Sequence, residues 1–165
     1  MYRIKKNFGF GCMRLPMSGD EVDKVQMCQM VDAFLEAGFN YFDTAHGYLQ
    51  GKSETALRDC LTSRYPRDRY VLTDKLTGSY FKTEADIRPF FQRQLEACGV
   101  EYFDFYLMHS QHAGNFGHFR DCRAYETENP PCGHLLPRPG GGAGPYPDGV
   151  PPDRGGADPV QLRRL

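Results

Sequence analysis

Four side chains in this sequence have the types and placement to handle a proton beside a polarised oxygen: Asp43, Tyr48, Lys75 and His109. Asp43 closes the apolar run Phe39-Asn40-Tyr41-Phe42, and Tyr48 follows five residues later. Lys75 comes after Tyr70-Val71-Leu72-Thr73-Asp74, and His109 after Phe103-Asp104-Phe105-Tyr106-Leu107-Met108. A free phenol, with a pKa of about 10, is a poor acid at neutral pH. An ammonium nearby stabilises the phenolate, a carboxylate keeps that ammonium charged and in place, and an imidazole can orient a carbonyl oxygen. With a hydride donor, such a set would reduce a carbonyl. Each residue alone is ordinary, since a single strand-end lysine or histidine is usually solvated or structurally satisfied. The joint pattern at the same end of successive strands gives the set its weight.

The elements that must carry these residues follow from periodicity. Asn7 to Met13 suits a short buried strand, with Phe8-Gly9-Phe10-Gly11 allowing close approach at its end, and a plain turn is the alternative that the glycines alone favour. Ser18-Gly19-Asp20-Glu21 predicts a helix N-terminus, Val25, Cys28, Val31, Phe34 and Leu35 its apolar face, and Gly38 its stop. Phe39–Phe42 is the second strand. A helix opening at Ser53 or Thr55 buries Ala56, Leu57, Cys60 and Leu61. Tyr70–Lys75 is the third strand. Thr83-Glu84-Ala85-Asp86 caps a helix that carries Ile87, Phe90, Phe91, Leu95 and Cys98 and stops at Gly99, with Pro89 predicting a kink or a later start. Phe103–His109 is the fourth strand. Short apolar strands alternating with helices imply an α/β fold with a parallel sheet. The pattern fits the N-terminal half of an eight-stranded (β/α)8 barrel, with a doubly wound sheet as the alternative. In a barrel, reactive side chains gather at the carboxyl ends of the strands.

A net charge of -1 over 165 residues gives no electrostatic case for nucleic acid or an anionic membrane. No apolar run approaches the ~20 residues of a membrane span, and no signal core follows the basic start, so the chain is read as soluble and cytoplasmic. None of the six cysteines forms a C-x-x-C pair, which favours buried thiols over disulfides or a metal site.

The sequence resembles the aldo-keto reductases over about residues 1–126. The resemblance rests on Phe8-Gly9-Phe10-Gly11, Phe42-Asp43-Thr44-Ala45, Tyr48-Leu49-Gln50-Gly51-Lys52-Ser53-Glu54, Thr73-Asp74-Lys75-Leu76 and Tyr106-Leu107-Met108-His109. It implies a TIM barrel and reduction of small-molecule aldehydes or ketones with NADPH or NADH. It makes Tyr48 the acid, Lys75 and Asp43 its tuning pair, and His109 the substrate-orienting group. It lays Gly11, Cys12, Met13 and Asp43 along the nicotinamide ribose. The chain is similar to a bacterial branch whose members often carry a C-terminal iron–sulfur segment. That cysteine motif would lie beyond this chain, so no cluster is expected here.

Residues 129–165 hold nine of the twelve prolines and eight of the eighteen glycines, and lack Phe, Ile and Lys, so by composition the 127–165 segment is expected to be a disordered tail. The tail is read as a translation out of frame. Shifted by one base, Asn129–Arg138 is compatible with Ile-Arg-His-Val-Gly-Ile-Ser-Phe-His-Asp. In the same phase, Ala157–Arg163 is compatible with Gln-Ile-Gln-Phe-Asn-Tyr. Both resemble the family's next strands, in order. A half barrel so truncated would expose its first and fourth strands as edges and invite self-association. Three functions follow: a carbonyl reductase, a non-catalytic remnant with weak or no nucleotide binding, and a half-barrel interaction module.

Overall fold

The structure is a computed structural model that describes residues 4–122 and 124. The expected out-of-frame tail and its boundary at 126/127 lie outside these residues. Four strands, β1 (Gly9–Gly11), β4 (Tyr41–Asp43), β5 (Val71–Thr77) and β6 (Phe105–His109), form one parallel sheet in the order β1-β4-β5-β6. Between β1 and β4 lie a two-stranded antiparallel hairpin, β2 (Met17–Ser18) with β3 (Glu21–Val22), and helix α1 (Lys24–Glu36). Helix α2 (Lys52–Leu57) joins β4 to β5, α3 (Glu84–Cys98) joins β5 to β6, and α4 (Phe116–Asp121) follows β6. The strands are laid down in sequence order without reversal. This is the winding of a β/α barrel and excludes the doubly wound alternative, whose order reverses at a switch point.

The helix boundaries differ instructively from expectation. Asp23, not the Ser18–Glu21 segment, caps α1 by accepting from the Gln26 N–H at 3.0 Å. The residues expected at the helix start instead fold into the hairpin, whose Gly19 takes φ +60°, and Gly-Asp between paired residues is itself a turn signal. Starting the helix at Lys24 rotates its buried face onto Met27, Val31 and Leu35, and leaves Val25 72% exposed. Cys28 and Phe34 are only partly buried against the core. In α2 the expected inner face, Ala56, Leu57, Cys60 and Leu61, is buried, with the last two on a π-helical turn that prolongs the helix. Helix α3 runs from Glu84 through Pro89 without the later start. Thr83 and Asp86 form its capping box, and Gly99 ends it in the left-handed region.

Alternation along the strands separates two faces. On one, Phe42 packs against Phe10 of β1 and Phe34 of α1 at ring-centroid distances of 5.4 and 5.2 Å. Leu72, Leu76 and Tyr106 share this helix-covered side and are buried. The other face carries Tyr41, Asp43, Thr73, Lys75, Thr77, Phe105, Leu107 and His109, the lining of a barrel's interior. Among the described residues β1 and β6 are the two edges of the sheet. Among them, too, no helix is long and apolar enough to cross a membrane.

Candidate active site

Register brings the charged residues together. Asp43 ends β4 opposite Thr73, and β5 continues to Thr77, so Lys75, two residues past Thr73, projects just past Asp43 on the same face. The third strand therefore does not stop at Lys75, as the apolar run suggested, but at Thr77, which pairs with His109 at the end of β6. Tyr48 comes back over the strand ends through a turn closed by its N–H donating to the Ala45 carbonyl at 2.9 Å. The chain then reverses sharply: Leu49, Gln50 and Gly51 have φ of +50°, +58° and +86°. Only the glycine adopts that region without strain. Left-handed Leu49 and Gln50 mark stored strain next to the phenol, of a kind found at functional sites.

The Lys75 ammonium is the hub. Its Nζ donates to Asp43 Oδ1 at 2.5 Å, to the Thr44 carbonyl at 2.7 Å and to the Tyr48 hydroxyl at 3.2 Å. Burial works against its charge, but the hydrogen bond and attraction of Asp43, then those of Tyr48, outweigh it and hold the ammonium above its ordinary value. Lys75 thus stays cationic throughout the neutral range. The imidazole of His109 meets the Tyr48 ring edge-on at 5.7 Å, and its Nδ1 lies 2.8 Å from the Thr77 hydroxyl. Burial, then repulsion from Lys75, lowers the His109 pKa, which favours a neutral ring. All four residues singled out by sequence converge here: cation, carboxylate, phenol and neutral imidazole.

The turn after β1 borders this cluster, since Gly11 is register partner to Asp43 and the Cys12 N–H donates to the Asp43 carbonyl at 2.9 Å. Cys12 faces inward. Its side chain is fully buried, burial pushes its thiol pKa strongly upward, and its carbonyl accepts from Ser53 Oγ at 2.9 Å. The outer side of the turn is Gly11 and half-exposed Met13. A Cβ at Gly11 would meet nothing within 4 Å, so open space borders Asp43, as a flat ring lying along the turn would require. Among the described residues no group of three or more His, Cys, Asp or Glu side chains could hold a metal ion.

Sequence reasoning overlooked the supporting residues. Thr77 is an instance: it lies two residues after Lys75, and period-two alternation alone places it on the same face. Thr44 and Ser53 are fully buried, with hydroxyls 2.8 Å apart, and tie β4 to α2. Glu54, quoted only as the end of the run Tyr48–Glu54, is fully buried, with Oε2 2.8 Å from His46 Nδ1.

Comparison with known proteins identifies the family and the fold. The Aldo/keto reductase family model matches residues 7–113, well over half of the chain. An aldo-keto reductase of Mycobacterium sp. is 31% identical over 120 residues, which cover 72% of this chain and 40% of that protein. The holo form of an aldo-keto reductase from Bacillus halodurans superposes with a TM-score of 0.58 at 26% identity. An aldo-keto reductase from Klebsiella pneumoniae in complex with NADPH gives a TM-score of 0.58 at 20% identity. Each of the two superpositions covers 74% of this chain and 42% of the other. The chain thus spans less than half the length of these relatives.

Proposed function

This chain belongs to the aldo/keto reductase family, and from that premise we propose that its site is built to reduce an aldehyde or ketone to an alcohol with NADPH or NADH. The observation that carries the reading is the single ammonium shared by a carboxylate and a phenol, with a neutral imidazole facing the phenol. Gly11, Cys12, Met13 and Asp43 are the residues that would hold the nicotinamide end of the cofactor: Gly11 and Met13 by surface, Cys12 by fixing the turn. When bound, the cofactor supplies the hydride.

The chain's own residues handle the proton. As the carbonyl oxygen gains negative charge, the Tyr48 hydroxyl donates its proton to it. The Lys75 ammonium at 3.2 Å stabilises the phenolate left behind. Asp43 keeps that ammonium aimed. His109, neutral and steadied through Nδ1 by Thr77, presents Nε2 to the substrate oxygen; as an N–H donor there it orients the carbonyl without competing as an acid. The work is cytoplasmic in this reading. Among the described residues the sheet ends at β1 and β6, and the chain by itself self-associates through those edges.

Calorimetric titration of the full chain with NADPH tests the reading. Saturable binding that weakens in Asp43→Ala supports it. Absence of binding favours the non-catalytic remnant. Sedimentation over a concentration range checks self-association, which a monomer at every concentration would contradict.

A further inference from the structure

Helix α3 buries one residue that does not belong on an apolar stripe. Gln94 lies among Ile87, Phe90, Phe91, Leu95 and Cys98 and is fully buried. A buried amide is costly unless it is hydrogen-bonded, and this one is bonded on both ends. Its Nε2 donates to the Lys75 carbonyl at 3.1 Å and to Glu54 Oε1 at 3.3 Å, and its Oε1 accepts from the Tyr106 hydroxyl at 2.5 Å. The carbonyl and carboxylate can only accept, which sets the amide's orientation. Glu54 in turn reaches His46, two residues before Tyr48 in the loop after β4. One chain of hydrogen bonds therefore runs from the loop that carries the phenol, through Glu54 and Gln94, to the main chain of Lys75. It matters at this point because β4 has ended at Asp43, opposite Thr73, and β5 carries Lys75 two residues past its neighbour's end.

We propose that Gln94 is a positioning residue for the Lys75–Tyr48 pair, holding the lysine's backbone in register with the tyrosine's loop from behind the sheet. What the pair does rests on the carbonyl-reduction reading; where Gln94 holds it does not.

The test reads Lys75 itself. In the full chain labelled with [15N]lysine, the Lys75 ammonium signal is assigned by its loss in Lys75→Met, and its proton exchange is followed in variants relative to wild type at each pH. Gln94→Leu removes both donors and is expected to speed exchange about tenfold at every pH. Gln94→Glu is expected to match wild type at low pH, where the carboxylic acid donates to the Lys75 carbonyl, and to match leucine at high pH. Position 94 faces Glu54 of α2, Asp74 and Lys75 of β5, Tyr106 of β6 and Cys98 of its own helix, with His46 behind Glu54. The two acids dominate and raise the pH of that crossover. A purely space-filling Gln94 would show no crossover. Tyr106→Phe frees only the amide oxygen, should fold where leucine does not, and should speed exchange about two- to threefold.

Unchanged exchange in folded Gln94→Leu, or no crossover in Gln94→Glu, overturns the proposal. If leucine fails to fold, the glutamate and Tyr106→Phe variants decide it. NADPH-dependent aldehyde turnover is measured in parallel. Its absence in wild type counts against the carbonyl-reduction reading, while exchange still decides the role of Gln94.

Discussion

Two cation–carboxylate pairs sit at opposite ends of the same sheet, and they are built for different purposes. At the amino ends, Arg67 Nη2 lies 2.6 Å from Asp104 Oδ2, which also accepts from the Leu72 N–H at 2.8 Å. The guanidinium donates to the carbonyls of Tyr70 and Tyr102, and lies over the rings of both residues, 4.9 and 3.9 Å from their centroids. Backbone and aromatic rings enclose the Asp104 carboxylate, whose side chain is 1% exposed. At the carboxyl ends, Lys75 and Asp43 make an equally short contact, but one of the ammonium's three acceptors is a phenol and Asp43 keeps 28% of its side chain exposed. A cation bonded to main chain staples strands together, although among the described residues the Arg67 Nε is buried without a hydrogen-bond partner. A cation that shares its protons with a titratable hydroxyl beside open space is poised for chemistry. Under the proposed function, these two ion pairs would follow the barrel rule that reactivity gathers at one end and stability at the other.

Breaking each pair in turn should separate rate from stability. Lys75→Met is expected to lower carbonyl-reduction turnover by about 10²–10⁴-fold while thermal denaturation shifts little, because the site opens to solvent. Arg67→Met should do the reverse: it leaves Asp104 buried without its cation and should cost about 3–5 kcal/mol in urea unfolding, with turnover per folded molecule unchanged.

A third change probes Asp74, beside Lys75 but on the helix side. Burial, then the charge of Glu54, raises the Asp74 carboxyl well above its ordinary 3.8. Between those values the folded chain holds a proton that the unfolded chain has released. Stability therefore falls as pH rises through that window. Asp74→Asn keeps the neutral form at every pH, should add about 1 kcal/mol at pH 7, and should flatten the fall. Chemical denaturation at several pH values checks it. The smallest effect should come from Val25→Ala. At 72% exposure it should cost less than about 0.5 kcal/mol, against about 2–5 kcal/mol for fully buried Met27→Ala.

That last contrast also marks where sequence reading fell short. The alternation of strands and helices, the fold class and the four polar residues were legible because apolar runs end abruptly at them and because alternation allows no other face for Asp43, Lys75 and His109, whereas the order of the strands within the sheet was left open between a barrel and a doubly wound sheet until the structure gave it. The start of α1 was misplaced because Ser18–Glu21 satisfies a helix cap and a hairpin turn equally well. Only the pairing of Met17 with Val22 decides between them. The end of β5 was missed because Leu76-Thr77 carries no breaker. Gln94 and Glu54 were unreadable for a different reason. On a helix, a polar residue marks the solvent face by default, and Gln94 and Glu54 bond each other across 40 residues of chain.

The most direct test of the site's chemistry follows the hydride. Incubating the full chain with an aryl aldehyde and NADPH deuterated at the transferable C4 position, then analysing the alcohol by mass spectrometry, should show one deuterium on the former carbonyl carbon. The yield should collapse in Tyr48→Phe. No labelled alcohol from wild type, or an equal yield from Tyr48→Phe, would contradict the assignment of Asp43, Tyr48, Lys75 and His109 as a carbonyl-reducing site.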